Sequence, residues 1–139
     1  MSTGRWAGVP DSVRRAVFAA AGVFAYGTVV HVFQLLVGGW DPYPSMPGWL
    51  TVYFVSLTVV GPLAAALLLL RRRAGLVLGL VILVTDAAAN GYANYAVDAS
   101  TGLTAGRAGH AVVTLLAVGL LVAAPRVWPW LRPCGYRDG

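Results

Sequence analysis

The chain has 139 residues, of which 58% are hydrophobic and 11% charged, and its mean hydropathy is +0.73. An ordinary soluble domain is roughly 25% charged. The composition therefore excludes a soluble globule, a disordered tail and a fibrous repeat, and it leaves a membrane protein. The net charge of +5 comes from arginines set beside apolar runs, which points to anionic lipid headgroups rather than to nucleic acid.

Four segments carry the roughly 20 mostly apolar residues that a membrane crossing needs. In chain order they are residues 13–37, 49–70, 74–97 and 108–124. The pattern predicts an all-α integral membrane protein, a single domain of four spans with short loops. The first segment is longer than a signal-peptide core, and no small-x-small cleavage site follows it, so it reads as a span. A proline-rich turn from Gly38 to Gly48 follows and is placed to sit over one end of the bundle. In the second span Gly61-Pro62 is expected to kink the helix near mid-membrane, because Pro62 removes a backbone hydrogen bond. Arg71-Arg72-Arg73 makes a tight charged connection to the third span. A loop of small residues, 98–106, leads to the fourth. Pro125, Pro129 and Pro133 are expected to end that helix and break up the tail at 125–139.

Arginine counting sets the expected orientation. Arg5, Arg14, Arg15, the triple at 71–73, Arg126, Arg132 and Arg137 fall on one side, and only Arg107 falls on the other. Nine against one places both termini in the cytoplasm, in a cytoplasmic (plasma or cell inner) membrane. Trp40, Tyr43, Trp49 and Tyr95 then mark the outer interface, and Trp6, Trp128, Trp130 and Tyr136 the inner one.

Polar side chains collect in the outer half of the spans. Asp86 lies about 12 residues from each end of the third span, near the midplane, where an ionisable group is costly and often functional. Asn90 and Asn94 follow at i+4 and i+8 on the same helical face. His31, with Thr28 and Gln34, lies in the outer half of the first span. Tyr53 and Ser56 lie in the second, and His110 and Thr114 in the fourth. The inner halves are almost wholly apolar. These residues predict a bundle sealed at the cytoplasmic end, with a polar pocket open to the outside. Gly75 and Gly79 form a small-xxx-small pair suited to close helix approach, within the chain or in a homodimer or protein partner.

The chemistry is narrowed by what is missing. All ten basic residues are Arg and all five acidic ones are Asp. Without Lys there is no P-loop grip and no Schiff base, and without Glu there is no HExxH helix. The single Cys134 excludes an intrachain disulfide and a CxxC pair. A desolvated carboxyl at Asp86 favours the neutral acid and can donate a proton, and His31 can accept one. That pair fits a lipophilic ligand, bound or also isomerised or cyclised, with Asn90, Asn94, His110, Tyr53, Gln34, Ser56 and Thr114 lining its site. No cofactor is required. Haem between His31 and His110 is disfavoured by a depth mismatch of about 6 Å, and no spacing specifies a metal site.

Two other readings remain. Four spans around one midplane carboxylate resemble the small multidrug transporters, which act as dimers. Their essential carboxylate is a Glu in the first helix, whereas here it is Asp86 in the third. The last reading is an accessory or assembly subunit that uses its small-residue faces for a partner.

Overall fold

The computed structural model describes residues 4–39 and 41–133, so Trp40, Cys134, Tyr136 and Arg137 lie outside the described residues. The protein is all-helical, with four helices long and apolar enough to cross a membrane. These are α1 (Asp11–Gly38), α2 (Gly48–Leu69), α3 (Arg73–Tyr92) and α4 (Ala105–Val127). A π-helical turn, Ala93–Val97, extends α3, and a 3-10 turn, Trp128–Trp130, follows α4.

Local chemistry sets the helix ends. Pro10 precedes α1, and Asp11 places an acid at its positive end while pairing with Arg14 at 2.8 Å. Gly39 (φ 60°) closes the helix by donating its N–H to Leu35 O. Thr104 caps α4, its hydroxyl accepting from the Arg107 N–H at 3.2 Å. Pro125 does less than the sequence implies. Helix α2 is unbroken through Pro62, and α4 continues past Pro125 to Val127. Each ring removes one donor, a loss that membrane helices absorb by local adjustment.

Each helix packs on the next in the chain, α1 on α2, α2 on α3 and α3 on α4, whereas α1 and α4 meet over only a few residues. The core runs down the bundle, with Val17, Leu68 and Leu76 fully buried in the half that contains the α2–α3 connection and Leu50 fully buried at the other end of α2. The outer surface carries exposed Phe33, Leu36, Val52, Val59, Leu115 and Val122, as a lipid-facing surface requires.

Gly75 and Gly79 are both used inside the chain. A side chain at Gly75 would collide with the backbone of Leu67 and Leu68, so this glycine permits the tight α2–α3 turn. A Cβ at Gly79 would come within 2.8 Å of the Phe24 ring. Phe24 thereby reaches from α1 across to α3 and plugs the middle of the bundle, with Leu120 of α4 beside it. Both glycines are thus filled from within the chain, by the α2 backbone and by Phe24.

The arginine triple ties three segments together. Arg71 adopts φ 58°, a conformation that costs a non-glycine residue about 1–2 kcal/mol. Its guanidinium donates to Trp130 O (2.7 Å) and to Arg5 O, and lies over the Trp6 ring. Arg73 donates to Leu131 O and lies over Trp128. Backbone bonds from Arg73 N to Arg132 O and from Arg132 N to Arg71 O complete the knot. The N-terminal segment, the α2–α3 connection and the start of the tail thus meet at one end of the bundle.

Candidate functional site

The loose α1–α4 seam leaves a cleft of about 600 Å³. Its walls are Val23, Gly27 and Val30 of α1 and Gly109, Val113 and Leu116 of α4. On each wall these positions recur at three- or four-residue intervals and so form one helical stripe. Ile82, Leu83, Asp86 and Asn90 of α3 form the back, joined by Leu57 and Gly61 of α2. The Phe24 plug lies in the lining. The mouth follows the gap between α1 and α4, where Tyr26 stands 72% exposed.

Gly61 allows α1 to come this close. A Cβ there would lie 2.7 Å from Thr28 Oγ1, whose hydroxyl is turned back onto Phe24 O. Gly27 and Gly109 act differently, because nothing lies within 4 Å of where their Cβ atoms would be. Their missing side chains are part of the cleft's volume.

Asp86 is 8% exposed and is the buried charged residue among the described residues. Its Oδ1 accepts from Asn90 Nδ2 at 2.9 Å. The second N–H of the same amide goes to Asp86 O at 3.0 Å. Both amide hydrogens are thus committed to Asp86, which fixes the amide orientation and leaves Asn90 Oδ1 with free lone pairs. Among the described residues, no arginine pairs with Asp86.

His31 and Gln34 also line the cleft. Tyr43, on the connection between α1 and α2, reaches over both. Its hydroxyl donates to Gln34 Oε1 at 2.7 Å. A phenol has one hydrogen, so the 3.1 Å contact to His31 Nδ1 must run from the imidazole N–H to the Tyr43 oxygen. The neutral imidazole then keeps its lone pair on Nε2. The His31 ring stacks on Phe54 at 5.9 Å, and Tyr43 packs on the same ring at 5.2 Å. Burial pushes the Tyr43 phenol up to about 12, and the Asp86 carboxylate adds to the effect. Tyr43 therefore remains a neutral hydroxyl over the site.

Five of the sequence-predicted site residues lie elsewhere. The π-helical turn changes the register after Tyr92, so Asn94 leaves the face of Asp86 and Asn90. Its amide donates to Asn90 O at 2.8 Å, and its side chain presses on Gly106 of α4. His110 turns toward Gly91 and the Tyr95 ring, with its Nδ1 buried and unbonded. Thr114 bonds to His110 O on its own helix. Tyr53 lies between α2 and α3 and bonds to Thr85 Oγ1 at 2.8 Å. Ser56 bonds back to Tyr53 O. Asp86, Asn90, His31 and Gln34 are the four that share the cleft.

Tyr43, which the sequence marks as an interfacial aromatic, carries contacts to His31 and Gln34 that sequence reasoning missed. Its position between Pro42 and Pro44, in a rigid segment following His31 and Gln34, was the available signal. The loop before α4, at the end of the bundle away from the arginine triple, is organised by Arg107. Its guanidinium donates to Ser100 O and Gly102 O, both at 2.6 Å, and to Asn94 O, and it lies over Tyr95. Two hydrogen bonds from Ser100 hold the Asp98 carboxyl below its ordinary value. Among the described residues no group of His, Cys and Asp is arranged to hold a metal ion. No family model, no curated protein and no solved structure matches this chain.

Proposed function

We propose that this protein is an integral protein of the cytoplasmic membrane, with both termini in the cytoplasm, and that it binds a lipophilic small molecule in the α1–α4 cleft. One observation carries the reading: an apolar-walled cleft of about 600 Å³ with a carboxyl at its back that, among the described residues, lacks a cationic partner. Small-molecule sites are of this size and kind, mostly apolar with a few convergent polar groups. The Phe24 plug agrees with a site closed toward the arginine-rich end. The gap between α1 and α4 gives a hydrophobic molecule a route from the bilayer.

A carboxyl at Asp86 and an imidazole at His31 on one cleft also supply an acid and a base for a bound isoprenoid, sterol-like or quinone-like molecule. In an isomerisation the acid would give a proton to one carbon and the imidazole would take one from another.

Native mass spectrometry of protein released gently from membranes tests the binding reading. The expected result is a monomer carrying a discrete added mass. An empty homodimer overturns that reading and favours proton-coupled transport, in which Asp86 exchanges a proton for a substrate. The orientation is tested separately, in a Cys134→Ser background. Ser100→Cys is expected to react with an impermeant thiol reagent from outside intact cells.

A further inference from the structure

The polar groups facing the cleft are unequal in kind. On α3, Asp86 Oδ1 is taken by Asn90, while no donor among the described residues is bonded to Oδ2. Asn90 has spent both its hydrogens on Asp86, so its free atom is an acceptor. His31 has spent its Nδ1 hydrogen on Tyr43, so its free Nε2 is also an acceptor. Among the described residues no arginine lines the cleft. Among the described residues the free groups are therefore a carboxylate oxygen, an amide oxygen and an imidazole lone pair, against two donor groups, the Gln34 amide and, at the mouth, the Tyr26 hydroxyl. Acceptors left unpaired in an apolar setting are costly. The molecule that satisfies them must bring donors and, opposite an uncompensated carboxylate, positive charge.

We infer that the cleft takes a lipophilic amine, its protonated nitrogen on Asp86 Oδ2 and its apolar body between the α1 and α4 walls. This inference rests on the binding reading above and narrows it. An Asp86 that holds an ammonium group is a counter-ion and not a proton donor to carbon. The apolar walls recognise shape only, so the headgroup decides specificity. A carboxylate of the same shape meets Asp86 as a like charge, and an alcohol offers one hydrogen where an ammonium offers three.

The test uses three cage compounds of one shape: 1-aminoadamantane, 1-adamantanol and adamantane-1-carboxylate. Each is titrated calorimetrically at pH 7 into the full chain in nanodiscs of zwitterionic lipid. The expected result is amine binding at least ten-fold tighter than alcohol binding, with no carboxylate binding. Asp86→Asn should bring the amine down to the alcohol's affinity. Gly109→Phe keeps Asp86 and fills open space in the cleft, and it should abolish amine binding even if Asp86→Asn does not fold. Alcohol binding as tight as amine binding overturns the amine inference but leaves the binding reading standing. Amine binding unchanged in Gly109→Phe also overturns it, by moving the site out of the cleft. Failure of all three compounds to bind the parent protein overturns the inference, while a discrete bound mass in native mass spectrometry would still uphold the binding reading.

Discussion

Tyr43 and His31 belong to different segments, twelve residues apart, and their side chains meet at 3.1 Å over the cleft that Asp86 backs. The Tyr43 hydroxyl accepts from the imidazole and donates to Gln34, so one phenol orients two cleft residues. Loss of that hydroxyl in Tyr43→Phe breaks both bonds while keeping the ring on Phe54. The expected cost is about 1–3 kcal/mol, for two bonds of ordinary net strength, read as a fall in unfolding midpoint in mild detergent. An unchanged midpoint would show that the loop is not held through this hydroxyl.

The same phenol has a pH signature. Its value in the folded protein, about 12, exceeds the ordinary 10.0. A raised value means that the folded state favours the protonated form. The stabilisation is complete below pH 10 and is lost as the pH rises through about 12. Absorbance titration near 295 nm should show one late-ionising tyrosine fewer in Tyr43→Phe than in the parent protein. Identical titrations of the two proteins would refute the assignment.

Two glycines should respond in opposite ways to the same change. Gly79→Ala drives a methyl group into the buried Phe24 ring, and overpacking of this kind costs about 1–3 kcal/mol. Gly109→Ala meets open space in a regular helix and should gain up to about 1 kcal/mol. Thermal unfolding of the two variants side by side decides the matter. A stabilised Gly79→Ala would mean that Phe24 does not seat on that glycine.

Arg71 combines a strained backbone with a side chain that ties down two other segments. Arg71→Ala keeps the strain and loses the charge-assisted bonds, which are worth about 1.5–3 kcal/mol. Arg71→Gly loses the bonds and relieves the strain, so it should be about 1 kcal/mol less damaging. Equal stability of the two variants would argue against the left-handed conformation at residue 71.

Arg107→Ala should release the loop before α4, because that guanidinium holds the carbonyls of Ser100 and Gly102. Amide exchange at 99–104 is expected to accelerate at least ten-fold, with the exchange of α2 unchanged. Unaltered loop exchange would leave Arg107 without this role.

Much of this was legible in the residues. Apolar length alone located the four helices, because backbone groups in hydrocarbon must bond within their own segment. The spacing of Asp86 and Asn90 was enough to put them on one face, since four residues make about one helical turn. Helical spacing failed at Asn94, where the π-helical turn adds a residue per turn, and no residue between 93 and 97 announces it. It also failed at His110, because periodicity states which residues share a face but not which neighbour that face meets. The cleft itself belongs to tertiary structure alone. It exists because α1 is held by Gly61 and the Phe24 plug on the α2–α3 side, while α4 is held by α3. The two outer helices are therefore never drawn together along the seam where Gly27 and Gly109 leave space.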